Sequence, residues 1–281
     1  MAGNKGTAAT VLKVWKIMRG LTGDDLVRLQ NAPVSLAITG EASRRDALAA
    51  RIGASSHIAH YGSVAEAIAA GESAIVDSNS AEIAGAAGLT SVLTAIALKQ
   101  PESRIALAAK FPVFRPIVAD QLTVETARIN AKVAALSALP GIIPFTDWLM
   151  PATAAGDILV LTRNQIDLLL QISACYNLPP DPKARLMELV PVVGSAFGWR
   201  AIARELVGLV PGGIGVGIKA AIAYAGTFAI GKAANAYYAG GKNIDMSQLY
   251  RDAIRAALSK ANLLMKRPKP ASSAVRLLET H

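Results

Sequence analysis

The chain has 281 residues, with 29 Lys and Arg against 20 Asp and Glu, a formal charge of +9, 52% hydrophobic and 17% charged residues. Soluble domains average about 25% charged residues, so an ordinary cytosolic enzyme is disfavoured, while a polytopic transporter would need a more apolar chain than a mean hydropathy of +0.37. Cys175 is the only cysteine, which excludes an intrachain disulfide and a zinc cluster.

Such a length leaves room for a sizeable core and two structural units. Aromatics are only 5% and alanine is abundant, so the core is expected to consist of closely packed helices with small aliphatic side chains. A basic surplus attracts polyanions. Nucleic acid is disfavoured because no recognition motif or aromatic stacking platform is present, which leaves anionic lipid.

Residues 1–32 read as an amphipathic N-terminal helix. Val11, Leu12, Val14, Trp15 and Met18 alternate with Lys13, Lys16 and Arg19, so no apolar signal-peptide core forms. The helix would dock on the protein or lie on lipid. Residues 33–100 read as a small Rossmann-like α/β module with a parallel sheet. Strands are expected at Val34–Ile38, His57–Tyr61 and Ala74–Val76, with helices at Glu41–Ile52, Val64–Ala70 and from Ser80 to about Gln100.

Beyond Pro101 no strand is evident, and residues 101–264 read as a Gly/Pro-broken apolar helical domain. Helices are expected at 102–110, 113–138, 153–176, 183–209, 216–238 and 246–264, with Leu139–Pro151 as a Pro-rich apolar connector. Residues 265–281 read as a basic disordered tail. Arg251, Arg255, Lys260, Lys266, Arg267, Lys269 and Arg276 near this end fit a cytoplasmic membrane surface under the positive-inside bias.

Leu206–Gly231 is long enough for a membrane span, with Lys219 as its one charge. Membrane helices tolerate Pro211 and the glycines better than exposed ones do. A central lysine costs roughly 3 kcal/mol on insertion scales, so two apolar halves meeting at Lys219 could instead form a re-entrant element. Gly213 and Gly217 supply one close-packing face. The alternative is a buried helix of an Ala-rich bundle.

The motifs for chemistry are weak. Gly226–Lys232 fits most of a phosphate-binding loop, but Ala233 replaces the magnesium-binding hydroxyl and no strand precedes it. Gly215, Gly217 and Ala220 match a loose dinucleotide pattern that no acid-ending strand follows. The first strand leads into Thr39–Arg45, which lacks the Gly-Lys-Ser/Thr signature, and Asp77 resembles a magnesium-orienting acid in position only. His57 and His60, three apart on a strand, point to opposite faces and find no third ligand. No catalytic, cofactor-binding or metal-binding residues are therefore nominated. Asp157, Asn164, Asp167 and Gln171 form one polar stripe on an apolar helix, either a solvated face or a packing seam. Arg163 is placed to pair with Asp167. Arg200 and Arg204 carry the same ambiguity beside Glu205.

From about Arg104 to Tyr250 the chain resembles the family called domain of unknown function 697. The resemblance rests on Phe111–Pro116 (FPVFRP), Leu136–Pro140 (LSALP), Leu161–Gln165 (LTRNQ), Pro191–Glu205 and Lys219–Thr227. It implies a helical, membrane-associated domain, often joined to or encoded near Era-like GTPases, and no catalytic residue. A GTPase or other protein is then the partner class. The expectation is a non-catalytic, cytoplasmic-facing membrane protein with an interaction or regulatory role, or alternatively a nucleotide-binding switch whose GTPase-like N-terminal module is degenerate.

Overall fold

A computed structural model describes residues 24–53, 56–137, 150–182, 184–185 and 215–240. It consists of a small three-stranded parallel sheet followed by helices. The chain begins with α1 (Asp24–Gln30), then β1 (Leu36–Thr39), α2 (Ala42–Ile52), β2 (Ile58–Tyr61), α3 (Val64–Ala69) and β3 (Ile75–Asp77). β1 lies between the other two strands, with Leu36 opposite Ile58 and Ala37 opposite Ile75. All four β1 residues are buried, as expected for a central parallel strand covered on both faces. The β1-to-β2 and β2-to-β3 crossovers run in opposite directions across the sheet, so right-handed connections place α2 and α3 on its opposite faces.

Local chemistry fixes the turns. Ser63 caps α3 by accepting from the Glu66 amide at 3.2 Å, while the Glu66 carboxylate accepts from Gly62 N at 2.8 Å. This reciprocal cap satisfies two amides that the helix itself leaves unpaired. Gly40, at φ +115°, ends β1 where a Cβ would strike the Ser78 hydroxyl, so only glycine fits.

Ser78–Lys99 form α4, which is bent at Gly85, where φ is +63°. α5 (Arg104–Lys110) and a 3-10 turn (Pro112–Phe114) lead into α6 (Arg115–Leu136), with α7 (Met150–Cys175) and α8 (Gly215–Gly240) beyond. The Phe111 and Phe114 rings meet edge to face at 6.4 Å and are fully buried. They sit in one apolar cluster that runs from Leu36 and Ile38 in the sheet to Ile172 on α7 and Ile230 on α8. The FPVFRP motif is thus the hinge where the helical bundle is fastened to the α/β module. The expected helices at 246–264 and in most of 183–209, the N-terminal helix up to residue 23 and the tail lie outside the described residues.

α6 packs against both α7 and α8. Along α6, Asp120, Thr123 and Asn130 meet Lys232, Gly231 and Thr227 in turn, so α8 runs antiparallel to α6. Arg115 lies over Tyr176 and Asn130 bonds Asn164, so α7 is antiparallel to α6 as well. The C-terminus of α6 and the N-termini of α7 and α8 therefore share one pole of the bundle. Among the described residues no helix is long and apolar enough to cross a membrane. Of the expected span Leu206–Gly231, residues 206–214 lie outside the described set, and the rest is the first part of α8.

Candidate functional site: a buried polar seam in the helical bundle

On α6, Ala119, Thr123, Ala127, Asn130 and Ala134 recur every three or four residues, and all five are buried. The small side chains let α8 approach closely. A Cβ on Gly231 would come within 2.8 Å of Thr123 Cβ. Asn130 is fully enclosed and donates to Thr227 Oγ1 at 2.8 Å, while its own carbonyl accepts from Asn164 Nδ2 at 2.8 Å. Gln165 Nε2 also donates to Thr227 Oγ1, at 3.2 Å. Four side chains from three helices thus satisfy one another in an otherwise apolar interior.

Two turns along, a second cluster lies nearer the surface. Lys232 Nζ donates to Asp120 Oδ2 at 2.5 Å, and Asn235 Nδ2 to the other carboxylate oxygen at 3.2 Å. The Tyr176 hydroxyl donates to Asn235 Oδ1 at 2.6 Å. Burial first, then the neighbouring Cys175, pushes the Tyr176 phenol up to about 12, with Arg115 opposing. Burial also pushes the Cys175 thiol up to about 12, which makes it a packing residue. Arg104 closes the α5–α6 corner with a two-pronged bond to Glu125 at 2.7 and 2.6 Å.

These contacts divide the polar stripe on α7. Asn164 enters the seam, and Gln171 is half-buried. Asp167 pairs loosely with Arg163 at 3.9 Å, and burial raises its pKa against the pull of that arginine. Asp157 lies on the first half of α7 and its side chain is outside the described set. So is the side chain of Lys219, which with Gly217 lies in the first turns of α8. Arg200, Arg204 and Gly213 lie outside the described residues altogether.

Gly226–Lys232 is a continuous helix in the middle of α8. Thr227 serves the seam, Gly231 the close approach and Lys232 the ion pair, so the resemblance to a phosphate loop is a coincidence of packing residues. Sequence pattern alone does not single out Asn130, Gln165, Asp120 or Thr227. Their one local signal is the run of small residues on α6, in which Asn130 occupies a core position.

The carboxyl edge of the sheet is closed by its own side chains. Asp77 caps α4, accepting from Ser80 N at 3.0 Å and Ser80 Oγ at 2.8 Å, and Thr39 Oγ1 reaches it at 3.3 Å. Burial would raise its pKa, but these bonds outweigh that and hold it below the ordinary aspartate value. Arg44 is engaged by Asn79 at 2.6 Å and Glu82 at 3.1 Å. No group of three or more His, Cys, Asp or Glu that could hold a metal occurs among the described residues. No family model, curated protein or solved structure matches the chain.

The seam contains neutral amides and a hydroxyl, groups that do not exchange protons near neutral pH. Its chemistry is positional. A slip of either neighbour along α6 would leave buried amides unpaired, at about 1–3 kcal/mol each, so the seam fixes the register of the three helices.

Proposed function

We propose that this chain is a non-catalytic, membrane-associated helical protein with an interaction or regulatory role. The observation that carries the reading is the polarity of the bundle. Ile129 and Leu136 near the end of α6 and Val160 on α7 are large apolar side chains exposed at or toward the pole where α7 and α8 begin. The mostly apolar sequence 138–149, with Asp147 its one charge, joins α6 to α7 at that pole, and the apolar sequence 206–214 enters α8 there. Val27, Val64, Ile68 and Leu98 are exposed elsewhere, on α1, α3 and α4, so the apolar connectors are what distinguish this pole as an interaction surface, and the basic residues of 251–276 favour the cytoplasmic leaflet. The α/β module stands at the opposite pole, free to meet a GTPase or other protein partner. Membership of the family known as domain of unknown function 697 would agree with this arrangement.

Flotation of the full chain with vesicles of mixed neutral and anionic lipid tests the reading. The wild type is expected to float, and a variant carrying Ile129→Glu and Leu136→Glu to float markedly less at unchanged helicity. Failure of the wild type to float with any vesicle would overturn it. The nucleotide-switch reading has weaker support, because Asp77 and Arg44 are spent on neighbours within the fold.

A further inference from the structure

A pocket of about 520 Å³ opens between the α/β module and the bundle, lined by Asn31, Ser56, His57, Lys110, Arg115 and Asn177, among others. Its volume is within the usual range for small-molecule sites, about 300–1,000 Å³. Two of its walls are cationic, and among the described residues no carboxylate lines it. Lys110 uses one donor on the Ala32 carbonyl at 2.9 Å. Arg115 makes one long bond to the Ala108 carbonyl, at 3.4 Å, and lies 5.7 Å over the Tyr176 ring. Neither forms an ion pair with a carboxylate among the described residues, although Arg104 and Lys232 nearby in the fold both do.

A bound anion would supply the counter-charge that no described carboxylate gives these two half-buried cations. Arginine presents a planar fork suited to phosphate oxygens, and lysine adds a point charge. The remaining walls suit hydroxyl groups. Asn31 spends its amide N–H on the Val27 carbonyl at 2.9 Å and keeps its oxygen as an acceptor. Asn177 accepts from Gln30 at 3.3 Å and keeps its NH2 as a donor. Asn177, the one described non-glycine residue with positive φ, at +58°, follows the end of α7 and lines the pocket.

We infer that this pocket binds a small phosphorylated polyol or sugar, its phosphate on Lys110 and Arg115 and its hydroxyls on the carboxamides. A phosphate of this kind could come from a lipid headgroup or from a free metabolite. The pocket lies at the Arg115 end of α6, away from the Leu136 pole, so the free molecule is the ligand assigned.

Calorimetry of the full chain with glucose 6-phosphate, glucose and inorganic phosphate tests the inference. Glucose 6-phosphate should bind saturably, inorganic phosphate more weakly and glucose not at all. Arg115→Gln and Lys110→Gln should each weaken binding about tenfold or more, the scale of a charged hydrogen bond. Ser56→Trp, at an exposed position on the rim, should block it without touching the core. Lys132→Gln, an exposed cation elsewhere on α6, should leave it unchanged. Absence of saturable binding at millimolar glucose 6-phosphate would overturn the inference. So would an equal loss in the Lys132 variant, which would mean diffuse charge attraction. Binding to phosphatidic acid vesicles that depends on Arg115, with none to glucose 6-phosphate, would overturn the assignment to a free molecule.

Discussion

Replacing Gly231 by alanine gives opposite signs depending on whether α6 and α8 cross where the structure places them. In an unobstructed helix interior alanine is favoured over glycine by about 1 kcal/mol, so a loosely packed α8 would be stabilised. Here the added methyl would lie 2.5 Å from Thr123 Cγ2 and 2.8 Å from Thr123 Cβ, far inside the contact distance of about 3.5–4.0 Å. Thr123 cannot turn away. Its Cβ is fixed to the α6 backbone, and its hydroxyl holds the Ala119 carbonyl at 2.7 Å. Relief requires the helices to move apart, and overpacking of this kind costs about 1–3 kcal/mol. The upper half applies because part of the obstacle is a Cβ. Subtracting the propensity gain leaves a net loss of about 1–2 kcal/mol. Urea denaturation followed by far-UV circular dichroism measures it. Thr123→Ala in the same chain removes Oγ1 and Cγ2 but keeps Cβ, so it should recover part of the loss, with a coupling of about 0.5–1.5 kcal/mol. Stabilisation by Gly231→Ala alone would refute the close crossing.

Asn130→Ala should cost about 2–4 kcal/mol in the same assay, because Asn164 and Thr227 each lose a buried partner; a cost under about 1 kcal/mol would mean that water reaches the seam. Cys175 should resist thiol reagents in the native state. A shift from 9.0 to about 12 lowers the thiolate fraction about a thousandfold, before hindered access of the reagent is counted, and labelling at the rate of an unfolded control would contradict the packing. Asp77→Ala should destabilise by about 1 kcal/mol through loss of the α4 cap. Since the folded pKa of Asp77 lies below its unfolded value, its contribution is present above the unfolded pKa and is lost as pH falls through the folded one. Asp77→Asn, which keeps a capping oxygen, should flatten this acid limb in a pH series of denaturation midpoints.

Much of the fold follows from local rules that a sequence displays. The apolar run at Leu36–Ile38 is the central strand, Asp77 ends the third strand, and Pro101 and Pro112 separate the helices that flank them. Boundaries moved where tertiary contacts decide them. β1 starts at Leu36 and not Val34, because Ala37 and Ile38 pair with β3 whereas Val34 packs on the core outside the ladder. α4 starts at Ser78 and not Ser80, since Asp77 rather than a later residue supplies the cap.

The seam was only half legible. Asn164 and Asp167 are neighbours on one helical stripe, yet one reaches Asn130 in the core and the other stays near water with Arg163. Which fate each takes depends on where α6 crosses, 34 residues away in sequence. Gln165 lies one position off the stripe and is therefore invisible to a reading of periodicity, although it reaches Thr227. The Gly226–Lys232 pattern shows the converse error. Small and hydroxyl side chains suit a phosphate loop and a tight helix crossing alike, and only the surrounding secondary structure separates the two.

Fractionation of cells that express the full chain, with a high-salt wash of the membrane pellet, tests the central proposal most directly. A protein held by the apolar pole of its bundle should sediment with membranes and stay there in salt, because apolar contacts are not screened. Recovery of the chain as a monodisperse species in the detergent-free soluble fraction would contradict the proposal.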